Sequence, residues 1–202
     1  MKIKLTFLTV LVYAVAFVFS CTDKKQATNH EHGADEHATT DVMPADATAP
    51  HYQVNQQFQE QLAAAFSGYV ALKDAFVATD AQQVKVKAEA TRIALANVNM
   101  QLLTDEAHND WMTYLSEIDL ALKEIQATND IEQQRIAFSP LSDSFYKSIK
   151  AFGLGGTVAY YEYCPMAFNN EGAYWLSNTE AVRNPYFGSK MLKCGSVQEI
   201  LK

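Results

Sequence analysis

The chain is short of glycine and proline, with 8 and 5 in 202 residues. A protein built from many short strands and tight turns needs more of both, so this scarcity argues against an all-β architecture. Cations are also in deficit. Sixteen Lys and Arg face 23 Asp and Glu, for a formal net charge of −7. That argues against nucleic acid as a partner, because phosphate binding needs clustered basic side chains. There is no Gly-rich phosphate loop, no Ser/His/Asp set and no convincing pair of carboxylates, so no enzyme chemistry is predicted. His108 is the sole histidine of the helical region, and nothing in the sequence places it near a cysteine. The cysteines number three, few enough to be read one by one.

What is present begins with an address. Met1-Lys-Ile-Lys4 is a short basic start, Leu5 to Phe19 is almost wholly apolar, and Val18-Phe19-Ser20 precedes Cys21. This is the layout of an export signal, and a cysteine directly after the cut is the lipid acceptor of a bacterial lipoprotein. Phe19 is bulkier than is usual in that place. The apolar stretch falls short of the roughly 20 residues a spanning helix requires. Residues 1–20 are therefore expected to be a lipoprotein signal peptide. Cys21 is the expected lipidation site, and the protein is expected in the cell envelope, lipid-anchored and facing the periplasm.

Residues 21–52 read as a disordered tether. The stretch after Cys21 is polar, without an aromatic residue until Tyr52, and cannot bury enough apolar surface to offset the entropy of ordering. It carries His30, His32 and His37, a set able to collect soft or borderline metal ions weakly, or simply to keep a linker soluble.

From residue 53 onward the spacing is helical. Val54, Phe58, Leu62, Phe66, Tyr69, Leu72 and Phe76 recur at three- and four-residue steps. A second seam runs through Val84, Ala88, Thr91, Leu95, Val98 and Leu102, and a third through Trp111, Leu115, Ile118, Leu122 and Ile125. A fourth takes Ile131, Phe138, Phe145, Ile149 and Phe152, with Asn129 and Glu132 resembling a capping box. Pro140 inside it predicts a kink, or a restart capped by Ser139. The expected fold is all-α: an up-down four-helix bundle, with an irregular C-terminal tail, residues 157–202, packed on it. The apolar seams are the core and are assigned no chemistry.

The tail holds the other two cysteines. Each has a methionine within three residues, in Tyr163-Cys164-Pro165-Met166 and in Met191-Leu192-Lys193-Cys194. Two interpretations fit. In an oxidising compartment, Cys164 and Cys194 close a loop of about 30 residues as a disulfide, contributing roughly 3–4 kcal/mol in the chain-entropy model. Alternatively, Cys164, Met166, Met191 and Cys194 form a soft donor set suited to Cu(I). Trp175, Tyr186 and Phe187 are expected to fold the tail back and bring Met191 and Cys194 toward Cys164. Glu162 and Glu171, flanking the first motif, are expected to be solvated.

The segments Tyr163-Cys-Pro-Met-Ala-Phe-Asn-Asn-Glu-Gly-Ala-Tyr-Trp-Leu-Ser177 and Arg183-Asn-Pro-Tyr-Phe-Gly-Ser-Lys-Met-Leu-Lys-Cys-Gly195 resemble the family called domain of unknown function 3347. The resemblance runs from about Val54 to the C-terminus and is most specific over residues 163–195. The same domain is similar to one appended to periplasmic adaptors of heavy-metal efflux pumps. The resemblance implies copper or silver handling, with efflux components as partners beside the membrane itself. It also implies Cys164, Met166, Met191 and Cys194 as ligands. The function expected is an envelope lipoprotein that binds Cu(I) as chaperone or buffer. The alternative is a non-enzymatic interaction module whose tail is pinned by a Cys164–Cys194 disulfide.

Overall fold

The computed structural model describes residues 48–202. The signal peptide, Cys21, His30, His32 and His37 lie outside the described residues.

Four long helices form the body: α1 (Gln56–Val77), α2 (Ala81–Ala96), α3 (Asp105–Ala127) and α4 (Ile131–Phe152). Three of them, α1, α2 and α4, start where a short polar side chain satisfies free N–H groups, whereas Thr104 before α3 makes no such bond. Asn55 Oδ1 accepts from the Gln57 amide, and Asp80 Oδ1 from the Gln82 and Gln83 amides. At α4 the cap is Asp130, whose Oδ1 accepts from the Glu132 amide, and not the Asn129 predicted. Gly153 ends α4 at φ +73° and donates its amide to the Ile149 carbonyl at 2.8 Å, a conformation glycine adopts without a Cβ penalty.

Pro140 does not break α4. The helix runs unbroken from residue 131 to residue 152, and Ser139 caps nothing. Phe138, Leu141 and Phe145 on either side are all fully buried, and their packing outweighs the one hydrogen bond the proline removes. Neighbouring helices pack in chain order, α1 on α2, α2 on α3 and α3 on α4. Facing aromatics join α1 to α4. Tyr69 stacks on Phe138 at 5.4 Å and lies 4.8 Å from Phe145, while Phe58 meets Phe152 edge-on at 5.2 Å. Among the described residues no helix is long and apolar enough to cross a membrane.

The tail is not irregular. It forms a three-stranded antiparallel sheet in the order β2-β1-β3, with β1 (Ala159–Cys164) in the centre, β2 (Ala173–Ser177) and β3 (Ser196–Leu201). The fold is therefore mostly helical with a small C-terminal sheet, a correction to the all-α expectation. The physical reason lies in Ala159-Tyr-Tyr-Glu-Tyr-Cys164, rich in aromatics that suit a pleated surface, whose alternate positions face opposite sides. Tyr161 stacks on Tyr146 of α4 at 3.9 Å and on Tyr174 of β2 at 4.7 Å. On the other face Glu162, Cys164 and Trp175 are all fully buried.

Residues 48–52, read above as the end of the tether, are fixed to the bundle. Thr48 forms a parallel bridge with Leu201, and its hydroxyl donates to Glu199 at 2.7 Å. The Tyr52 amide donates to the Ala151 carbonyl at 2.7 Å, and its hydroxyl to Asp110 at 2.8 Å. Tyr52 also stacks on Phe152.

Candidate functional site

Cys164 ends the central strand and Cys194 lies in the loop before β3. They are joined as a disulfide, with Cα atoms 5.7 Å apart and a sequence separation of 30. The tail folds back as expected. Trp175 is fully buried, Tyr186 is 5% exposed, and their rings meet edge-on at 6.0 Å.

Asn184 organises the return loop from the inside. Wholly buried, it accepts from the Tyr186 and Phe187 amides at 2.8 and 3.2 Å, and its side-chain amide donates to the Cys194 carbonyl at 2.7 Å. Its backbone amide donates to the Leu192 carbonyl at 2.8 Å. The Tyr186 hydroxyl donates to the Tyr174 carbonyl at 2.6 Å, tying the same loop to β2. Gly195 stands at φ +139°, where a Cβ would come within 2.7 Å of the Trp175 ring and 2.8 Å of the Tyr163 carbonyl. The loop therefore passes too close to the sheet for any side chain at that position.

Met166 is 45% exposed and Met191 half-buried. Both line one open groove of about 590 Å³, whose other walls include Ile136 and Arg135 of α4 and the rings of Phe168 and Phe187. One wall of the groove is the turn at residues 167–170, where Phe168, Asn169 and Asn170 take φ of 49°, 58° and 72°. The Asn-Asn-Glu-Gly string signals that turn, but a left-handed Phe168 has no sequence signature. Cys164 and Cys194 do not line the groove. Among the described residues no three His, Cys, Asp or Glu side chains gather to hold a metal ion. A second groove, between α2 and α3, is lined chiefly by aliphatic and methionine side chains such as Leu95, Met112, Leu115 and Leu122, and none of the sulfur-motif residues reaches it.

Two charged residues escaped the sequence reading. Glu162 is fully buried, against the expectation of solvation, while Glu171 is exposed. In the register Glu162 stands opposite Trp175 and shares a strand face with Cys164. Among the described residues neither of its carboxylate oxygens has a hydrogen-bond partner, and neither has Trp175 Nε1. Burial pushes the Glu162 carboxyl up to about 8, against the downward pull of the Lys73 ammonium and the Trp175 indole. Arg135 is 2% exposed. It donates to the Pro185 carbonyl at 2.9 Å, to Thr79 Oγ1 at 3.1 Å, to the Phe76 carbonyl at 3.3 Å and to Glu132 at 2.6 Å. It thereby joins α1, α4 and the tail. A run such as Ile131-Glu-Gln-Gln-Arg135 looks like an ordinary solvated helix face, so only the tail's position reveals either role. His108 lies in the first turns of α3, far along the chain from both cysteines.

No curated protein and no solved structure matches the chain significantly. A family model described as "Protein of unknown function (DUF3347)" matches residues 65–157. The match spans most of α1 through α4 and stops just before β1, so it rests on the helices and not on the Cys/Met segments over which the resemblance looked most specific. The match over residues 65–157 supports assigning that four-helix region to the DUF3347 family.

Proposed function

We propose that this protein is a lipid-anchored, periplasm-facing envelope protein that binds a soft metal ion, Cu(I) above others, as a chaperone or buffer linked to heavy-metal efflux. One observation carries the reading. The two Cys/Met segments, distant in the chain, are brought together twice: Cys164 is bonded to Cys194, and Met166 and Met191, two and three residues from those cysteines, line one groove. Thiolates and thioethers match Cu(I) in softness. The cysteines can serve as ligands only as a dithiol, so the disulfide is the metal-free store and reduction is part of loading. His30, His32 and His37 supply a weaker collecting site, and acylated Cys21 keeps both near the membrane.

The test is a Cu(I) competition titration of the reduced mature protein beside Cys164→Ser/Cys194→Ser and Met166→Leu/Met191→Leu. The cysteine variant is expected to lose the tight site and the methionine variant to weaken it. Equal affinity in all three proteins refutes the tail site.

The bond itself favours a second reading, a non-enzymatic interaction module whose tail is pinned by the Cys164–Cys194 disulfide. Free-thiol counts with and without reductant separate the two. A protein with no free thiol that takes up no metal after reduction belongs to this second class.

A further inference from the structure

The two sulfurs of the disulfide are not equivalent. Cys164 is fully buried at the end of the central strand, whereas Cys194 is half-buried in a loop. In thiol–disulfide exchange a thiolate attacks one sulfur, and access helps decide which. The surroundings of Cys194 suit an anionic attacker. Residues 181–198 contain Arg183, Lys190 and Lys193 and no carboxylate, in a chain whose net charge is −7. All three cations are exposed, and among the described residues none of them makes an ion pair. Exposed cations carried on the same loop as Cys194 favour the approach of a thiolate to it.

The loop is also held without the bond. Asn184 grips the Cys194 carbonyl, the Cys194 amide donates to the Met191 carbonyl at 3.1 Å, Tyr186 is tied to β2, and Gly195 is seated on Trp175. Opening the disulfide therefore leaves the tail folded, as repeated exchange requires.

We propose that Cys164–Cys194 is an exchange-active disulfide, opened by a thiolate of an external dithiol at Cys194 Sγ, with Cys164 as the buried leaving thiol. In the first step the donor sulfur bonds to Cys194 Sγ, the Cys164–Cys194 bond breaks, and Cys164 departs with the electron pair and takes a proton from water. The donor's second thiolate then attacks its own sulfur in the mixed disulfide and releases Cys194 as a thiolate. The donor ends as a disulfide and this protein as a dithiol, two electrons having passed between them. The inference goes beyond metal binding. It concerns how the pair is opened, and it holds whether or not the dithiol then takes a metal.

The experiment uses the oxidised mature protein with a metal chelator present and glutathione as a monothiol probe. Reactions are acid-quenched and the adduct is mapped by mass spectrometry. The adduct is expected on Cys194 at least about tenfold over Cys164. Lys190→Glu/Lys193→Glu should slow its formation several-fold at low salt, and far less at high salt. Reduction should also be insensitive to urea well below the unfolding midpoint. An adduct chiefly on Cys164, or reduction that proceeds only as fast as global unfolding, overturns the proposal. The metal reading is scored apart. Fast exchange at Cys194 with no Cu(I) uptake by the reduced protein sinks that reading alone. Cu(I) uptake by a chemically reduced protein whose disulfide opens only on unfolding sinks this one alone.

Discussion

Arg135 carries a full charge into the interior and is satisfied there by partners from α1, α4 and the tail. The ion pair with Glu132 contributes little, since Glu132 is largely exposed. The buried carbonyls of Phe76 and Pro185 matter more, because they lose their donor if the guanidinium goes. Arg135→Ala is therefore expected to cost about 2–4 kcal/mol, read from the urea midpoint at unchanged slope. A loss below about 0.5 kcal/mol, the size of an ordinary surface change, would show that water replaces it. Glu162 gives a prediction of opposite character. Its carboxyl is raised to about 8 in the folded chain by burial. The unfolded chain releases that proton near the ordinary carboxylate value, so between the two values the native state binds more protons. Stability from this group is then fully present below about 4.5, falls as pH rises, and is lost above about 8. The slope approaches about 1.4 kcal/mol per pH unit. Glu162→Gln, measured on the oxidised metal-free protein, should flatten the fall and exceed the wild type in stability at pH 8. Parallel pH profiles for the two proteins would mean that Glu162 ionises inside the fold without penalty.

Tyr69 shows how the elements are joined. From α1 its hydroxyl meets Ser142 of α4 at 2.7 Å and accepts the Leu176 amide of β2 at 3.1 Å, with all partners buried. Tyr69→Phe keeps the ring packing and removes both bonds, leaving a buried strand amide unpaired. The expected cost is about 1–3 kcal/mol, with hydrogen exchange at Leu176 accelerated more than at residues of α2. At this scale the four helices were legible, because each buries one stripe and the three- and four-residue spacing records it. Phe58, Leu62, Phe66 and Tyr69, all buried, had been legible as one seam. The sheet was not, for a physical reason. Its strands have five or six residues, too short for alternation to stand out, and β1 is covered on both faces, so its tyrosines look like generic packing residues. The pairing of Cys164 with Cys194 was one of two open interpretations, and chain position alone could not choose between them. Glu162 and Arg135 were invisible for the same reason as the sheet, since what buries them is non-local.

At the scale of the molecule the two ends of α4 have different work. Its C-terminal end receives the chain's entry and exit, where Thr48, Tyr52, Lys150 and Glu199 are linked. The opposite end, at Arg135 and Ile136, carries the methionine groove. Fifteen residues of helix separate Arg135 from Lys150, about 22 Å at 1.5 Å per residue, so the point where the chain enters the fold lies far from the methionine groove. The family match ends at residue 157, yet the helices do not close on themselves. Trp175, Leu176, Tyr186 and Leu201 of the tail are all buried in the common core. At about 1.5–3 kcal/mol for each large apolar side chain, removing these four forfeits roughly 6–12 kcal/mol, comparable to the whole stability of an ordinary domain. It would also strip Arg135 of the Pro185 carbonyl and expose Tyr69, Phe138 and Phe145. A fragment of residues 48–157 is therefore expected to melt without a cooperative transition and to bind a hydrophobic dye, while the chain through Lys202 melts sharply. If the fragment instead unfolds in one sharp step at a comparable temperature, the helices form a self-sufficient bundle, and the sheet with its disulfide is an appendage that can vary independently of it.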